Sequence, residues 1–363
     1  MSSVVFILGA GASRECGGPL MADFLDIASD LLLTGKVAKK RVEFEKVFDA
    51  IGKLQIVHSK SQLDLVNIES ILTALELGLI IRRVPGLAID EIPQIISALK
   101  DLIVSTLEAR IRFKRYGNDI LPPAAYENFA KLVKYIQEGS SPKHTVSVIT
   151  FNYDVAVDMA LRHVDLGPDY VISAPSGIHN AVPLLKLHGS LNWASEHGSK
   201  NIRVLHLDQY FQHYQLQLGS EALTVSLPIG THLSEYFAKY TKLIVDAEPV
   251  IIPPTWNKAD YHHALTDVWA SAAMHLSEAK YIYVIGYSLP PIDSFFRHLF
   301  ALGSVGDTTI RKFAVFNPDT TGEVDRRFKD LLGSGASSRY EYFPLTFGSS
   351  LEEIRRHFPS TRS

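Results

Sequence analysis

The chain has 363 residues, 46% hydrophobic and 21% charged, with a formal net charge of −3. That length buries a sizeable core and suggests roughly two domains, or one large domain with an insertion. The charge balance gives no reason to expect a nucleic-acid surface or a polybasic membrane patch.

The one cysteine, Cys16, excludes an intrachain disulfide and a four-cysteine zinc ribbon, and it suits a reducing cytoplasm. No apolar run reaches the roughly 18 residues of a membrane span, and the opening MSSVVFILGAGAS lacks a basic leader. A cytoplasmic, soluble globular protein is expected.

The first strand is VVFIL, residues 4–8, and it runs into GAGASRECGGP. Gly9 and Gly11 let the backbone turn tightly and approach a ligand. A following helix would offer free N–H groups to a pyrophosphate. The pattern is not a full GxGxxG, because Arg14 stands where a third glycine is expected. A plain strand-to-helix turn is the bland reading.

Residues 24–137 follow, with helical spacing in LDLVNIESILTALELGLIIRRV, EIPQIISALKDLIVSTLEARIRF and PPAAYENFAKLVKYIQE. A strand-to-helix connection takes a few residues, so this length reads as an inserted helical subdomain. Residues 1–23 and 138–363 then form a discontinuous core.

The second strand, VSVITF (146–151), runs into NYDVAVDMAL. It sets Asn152 and Asp154 at the sheet edge where ligands bind. Asn152 suits a ribose hydroxyl or a water, or a turn; Asp154 suits a helix cap. The third strand, PLLKL (183–187), ends in His188-Gly189-Ser190. A metal role for His188 lacks companions, since no HExxH motif or His/Cys cluster accompanies it. A buried core histidine is the bland reading; the Gly189-Ser190 that follows points instead to a turn at the sheet edge, where an imidazole with a pKa near about 6.5 accepts a proton at neutral pH. The YHH of 261–263 is an unsupported pair on a helix face.

Residues 195–247, with LHLDQYFQHYQLQ, form an aromatic-rich stretch suited to a helix, a lid or a partner surface. The fourth strand, YIYVIG (281–286), runs into YSLPPID. There Gly286 permits close backbone approach, Ser288 can donate to a phosphate or ribose, and Asp293 caps a helix. The fifth, KFAVFN (312–317), runs into PDTTGEVDRRF, where Asn317 faces a ribose or simply makes a turn. A last strand and a closing helix, SLEEIRRHF, complete the chain. Continuous apolar strands alternating with helices predict an α/β, Rossmann-like, doubly wound parallel sheet with a large helical insertion.

In order, GAGAS, TFNYD, LHGS, GYSL and FNPD resemble the phosphate loop, Thr-Gln-Asn-Ile-Asp segment, His-Gly, Gly-Thr-Ser and late Asn strand of the sirtuin family. The resemblance covers about half the chain. It implies Asn152 and His188 as a catalytic pair beside the nicotinamide ribose of NAD+. Gly9, Ala10, Gly11, Ser13, Asp154, Gly286, Ser288 and Asn317 are implied in cofactor binding. The zinc ribbon of the family's deacetylases is absent, and its Gly-x-Pro-Asp-Phe-Arg stretch is here GGPLMADF. No zinc is expected. What is left resembles sirtuin-like effectors of bacterial anti-phage systems, which hydrolyse NAD+ to nicotinamide and ADP-ribose and deplete the cell. That likeness implies control by oligomerisation or by a HerA-type ATPase partner. Alternatives are an NAD-dependent deacylase or ADP-ribosyl transferase, a non-catalytic NAD+ or ADP-ribose sensor, and a structural subunit whose insertion builds a ring.

Overall fold

The computed structural model describes all residues except 1, 57–60, 118, 173–179, 198, 200, 215–222, 253–258, 292 and 361–363, with backbone alone for 214 and 259–264. The side chains of the YHH at 261–263 therefore lie outside the described residues.

Seven strands form one parallel sheet: β1 (Val4–Leu8), β4 (Val146–Thr150), β5 (Pro168–Asp169), β6 (Val182–Lys186), β11 (Tyr281–Ile285), β12 (Lys312–Phe316) and β13 (Tyr340–Phe343). Their order is β13-β12-β11-β1-β4-β6-β5. Every residue of β1 and β4 is buried, as expected of strands covered on both faces. The chain leaves β1 toward β4 and β6, then crosses back to β11 and β12, so the connections diverge on either side of β1. In such sheets a crevice opens there, at the carboxyl ends of the strands.

The five expected strands are present, each within a residue of its sequence limits, and β5 adds a two-residue edge that carries no periodic signal. Two antiparallel sheets go beyond the sequence expectation. One is β10 (Val245–Ile251), β7 (Gly189–Glu196) and β8 (Ile202–Val204). The other joins β2 (Arg112–Tyr116), β3 (Asp119–Leu121) and β9 (Leu223–Ser226). In β2, RFKRY, only Phe113 is buried, so the charged neighbours hide the strand pattern.

The helices are α1 (Ala10–Ser13), α2 (Phe24–Leu33), α3 (Arg41–Leu54), α4 (Ile68–Ile81), α5 (Ile92–Arg110), α6 (Ala124–Lys134) and α7 (Ala156–His163). After these come α8 (Leu207–Tyr214), α9 (Leu233–Tyr236), α10 (Ala259–Ser277), α11 (Ser294–Gly303), α12 (Glu323–Leu331), α13 (Ser334–Ser337) and α14 (Phe347–Arg356). Helices α2 to α5 pack on one another. Helix α6 instead covers the main sheet: Phe129 meets Phe6 of β1 edge-on at 5.0 Å and Tyr126 meets Phe347 of α14 at 4.9 Å. Among the described residues no helix is long and apolar enough to cross a membrane.

The end of α5 is tied to the loop after β9 through buried Glu108, which accepts from both the amide and the hydroxyl of Thr231. Burial outweighs these bonds and lifts its carboxyl from 4.5 to about 7. The folded chain thus holds a proton that the unfolded chain has already released between pH 4.5 and 7. Stability from this group is present below about pH 4.5 and lost as pH rises through 7, by about 3 kcal/mol at most. Glu108→Gln should remove that loss, narrowing the gap in melting temperature between pH 5 and pH 8 by several degrees. An unchanged gap would show that Glu108 titrates normally.

Candidate active site

Parallel register aligns the strand ends. Leu8 pairs with Thr150 and Ile285, Thr150 with Lys186, and Ile285 with Phe316. Two residues beyond this row lie Ala10, Asn152, His188, Tyr287 and Pro318, and all five line one cavity of about 380 Å³. Gly11, Ser13, Asp154, Gly286, Ser288 and Asn317 line it too. Gly9 does not, but its carbonyl accepts from Asn152 Nδ2 at 3.0 Å. The residues singled out in sequence are therefore gathered at one place.

The glycines serve one another before any ligand. Gly286 has φ +64°, and a Cβ there would lie 2.3 Å from the Ala12 nitrogen. The Gly11 amide donates to Gly286 O at 2.8 Å and the Ala12 amide to Gly9 O at 2.9 Å. The helix expected after GAGAS is only the single turn of α1. With two of its amides already bonded, it offers a phosphate less than a regular helix start does.

Asn152 is fixed in orientation. The Gly9 carbonyl can only accept, so Nδ2 must face it, and Nδ2 also donates to Ser13 Oγ at 3.0 Å. Among the described residues nothing donates to Oδ1, the atom left for a ligand. Ser13 is consumed internally: its hydroxyl donates to Asp154 Oδ2 at 2.6 Å and contacts the Tyr126 hydroxyl at 2.8 Å. Asp154 Oδ1 accepts the Ala156 amide at 2.9 Å, an Asx turn that leads into α7; the helix cap itself is Val155, one residue on from the position expected in sequence. Burial raises the Asp154 carboxyl above the usual range, against the hydrogen bond from Ser13 and the charge of Lys186. Cys16 is inert here: burial pushes its thiol far up, and Sγ donates to Ser13 O at 2.9 Å.

His188 sits at the corner where the chain leaves β6 for β7. It is only 4% exposed, more buried than a sheet-edge turn suggests. Its ring meets Phe151 edge-on at 5.2 Å and tilts against Tyr153 at 6.2 Å, while its carbonyl accepts the Ile252 amide at 2.8 Å. Gly189 makes the corner possible: φ is +89°, and a Cβ would lie 2.0 Å from Val250 O of β10. Phe151 stacks on Tyr287 at 4.2 Å and 12°, giving the cavity an aromatic wall.

Asn317 uses Oδ1 in an Asx turn with the Asp319 amide at 3.1 Å, leaving Nδ2 as its donor toward the cavity. Asp293 accepts from the Tyr287 hydroxyl at 2.6 Å and from the Phe296 amide at 3.3 Å, a helix cap.

Sequence reasoning missed Glu69. It stands in the first turn of α4, where Asn67 caps its amide at 2.9 Å, and its side chain is buried and lines the cavity. A carboxylate at a helix N-terminus is favoured by the dipole. Tyr153 and Tyr287 have hydroxyl pKa values raised by burial first, with the charges of Glu69 and Asp293 adding to it. The signal is the capped start Asn67-Ile68-Glu69, which marks a carboxylate held at a fixed helix end.

Three carboxylates, Glu69, Asp154 and Asp293, line the cavity, and among its described lining residues none is lysine or arginine. Ser13, Asn152, His188, Ser288 and Asn317 add neutral polar groups, and the rest of the lining is apolar, aromatic or glycine. Such a lining welcomes a neutral or cationic ring.

No protein-family model matches the sequence, and no curated protein does. Among solved structures the chain is similar to a Sir2 homologue in complex with NAD, at 17% identity and a TM-score of 0.42, covering 98% of this chain and 88% of that one. It is also similar to Sir2Tm bound to a propionylated peptide, at 13% identity and a TM-score of 0.38, covering 98% and 92%. None of these likenesses carries an argument about chemistry.

Proposed function

We propose that the cavity binds NAD+ with its nicotinamide riboside end against His188 and Asn152, and hydrolyses it to nicotinamide and ADP-ribose. The observation that carries this reading is the adjacency of a buried imidazole and a fixed Asn carbonyl oxygen in a carboxylate-lined cavity with no cationic side chain among its described lining residues. A volume of about 380 Å³ lies within the roughly 300–1,000 Å³ of small-molecule sites. The aromatic wall of Phe151 and Tyr287 suits the cationic pyridinium ring. The Ser288 hydroxyl and the Asn317 amide supply donors toward the rest of the dinucleotide.

The nicotinamide C–N bond breaks with its electron pair leaving on nicotinamide, and positive charge develops on the ribose. Asn152 Oδ1 accepts from the attacking water or a ribose hydroxyl. His188 takes the proton as the water oxygen bonds to the anomeric carbon. The Glu69 carboxylate offsets the ribosyl charge. Its effect falls on the transition state, so Glu69→Gln should lower kcat about a hundredfold with KM nearly unchanged. A rise in KM alone would reduce Glu69 to a binding role.

Turnover in heavy-oxygen water, followed by mass spectrometry, tests the reaction class. Hydrolysis labels ADP-ribose at its anomeric hydroxyl. A deacylase would instead need an acylated peptide and yield an acylated ADP-ribose. The order of the motifs also supports, through the resemblance, NAD+ depletion as an anti-phage role controlled by oligomerisation or a HerA-type ATPase partner. Infected cells carrying the chain should then lose NAD+, and cells carrying His188→Ala should keep it.

A further inference from the structure

Below the His188 corner lies a closed ring of hydrogen-bonded side chains that the chemistry above does not use. Lys186 Nζ, fully buried, donates to Asp158 Oδ2 at 2.9 Å, to Ser190 Oγ at 2.7 Å and to the backbone carbonyl of Asp154 at 2.7 Å. Ser190 Oγ donates to Asn192 Oδ1 at 2.6 Å. Asn192 Nδ2 donates to the Tyr170 hydroxyl at 3.2 Å, and that hydroxyl donates to Asp158 Oδ1, which closes the ring. All five side chains are buried. Asn192 Nδ2 reaches Leu205 O as well, at 3.2 Å, so the ring also holds the chain beyond β8.

The placement of these atoms matters more than their number. The three acceptors of Lys186 belong to three separate pieces: the Asn152 loop two residues past Asn152, helix α7, and β7 two residues past His188. One ammonium therefore ties the segment carrying Asn152 to the segment carrying His188. A second chain reaches the first loop, through Asn152 Nδ2 to Ser13 Oγ and Ser13 Oγ to Asp154 Oδ2.

A buried ion pair is a poor way to gain stability, because desolvation offsets the attraction and an apolar pair of the same size often serves as well. A fully satisfied polar network, by contrast, specifies one arrangement, since each donor has a single satisfied partner geometry. Catalysis by a base and an orienting amide needs that: a misplacement of about 1 Å costs about a hundredfold in rate.

We propose that Lys186 is a positioning residue, holding His188 and Asn152 in register through its ring with Asp158, Ser190, Asn192 and Tyr170. The proposal rests on the assignment of those two residues to NAD+ cleavage. Two variants test it. Lys186→Met combined with Asp158→Asn removes both charges of the pair together, so neither partner is left buried without the other. Ser190→Ala cuts the ammonium's link to the His188 corner together with the Ser190–Asn192 bond, and leaves both charges in place.

The readouts are melting temperature, kcat and KM for NAD+, and the His188 Cε1–H resonance, assigned by its loss in His188→Gln. In folded variants kcat should fall about a hundredfold while KM stays within about threefold. The His188 resonance should shift in both. A folded variant with unchanged kcat, or with His188 unmoved, would overturn the proposal. Should wild type release no nicotinamide, the NAD+ reading fails by itself, and the His188 resonance still decides whether the ring positions that imidazole.

Discussion

Replacing either His188 or Asn152 by alanine should lower nicotinamide release about a hundred- to ten-thousandfold while the chain stays folded. The two losses differ in kind. His188→Ala removes the proton acceptor and opens a space beside Phe151 and Tyr153, so an added small base such as imidazole should restore part of the rate. Asn152→Ala removes the Oδ1 acceptor and also takes away the side-chain donor to Gly9 O, while Ser13 Oγ keeps its contacts to Asp154 and Tyr126. No added base should rescue it. The double variant should be little slower than the worse single one, because residues acting on one step are not additive. Steady-state assays of the three variants measure this. Full activity in both single variants would remove the assignment.

The second large effect concerns the frame. Gly286→Ala should cost roughly 2–5 kcal/mol, adding the left-handed backbone penalty to the strain of overpacking. The added methyl would run into the Gly11–Ala12 peptide, Ala12 N at 2.3 Å and the Gly11 carbonyl carbon at 2.5 Å, and neither is a flexible side-chain end. The loops after β1 and β11 must part, and Ala10, Gly11, Tyr287 and Ser288 move with them, so KM for NAD+ should rise as well. Gly322 supplies the contrast. It has φ +81°, but an alanine methyl there would meet nothing within 4 Å, so Gly322→Ala should cost only the backbone penalty of about 1–2 kcal/mol. Urea unfolding of both variants separates clash from strain. Equal losses would mean that the interlock of the two loops is softer than its distances imply.

How far the sequence speaks depends on what each signal rests on. The parallel strands are legible because both faces are covered, which makes VVFIL and YIYVI unbroken apolar runs and VSVIT a run interrupted only by Ser147 and Thr150. Once they are aligned in register, the residues just past their ends must converge, so Asn152, His188, Ser288 and Asn317 come together without any long motif. The antiparallel strands are hidden: β8 has three residues and β2 is mostly charged. Glu108 is hidden differently, since it is one carboxylate on an amphipathic helix; the Asn67 cap marks where Glu69 stands on its helix, and for both only tertiary packing decides that the side chain faces inward.

The Lys186 ring lies between these extremes. A lysine inside the apolar run PLLKL and an aspartate inside AVDMAL are both out of place on buried elements, and that mismatch is visible in sequence. Their pairing is not, because they lie on different elements 28 residues apart. Glycine shows the same division. GAGAS and Gly286 read as ligand-approach loops, yet much of their demand for glycine comes from packing backbone on backbone.

The most direct measurement is a single-turnover experiment with purified chain in excess over NAD+, following nicotinamide and ADP-ribose with time. Equal amounts of both products from wild type, and none from His188→Ala, is the predicted result. NAD+ bound but returned intact would contradict hydrolysis and leave a binding protein in its place.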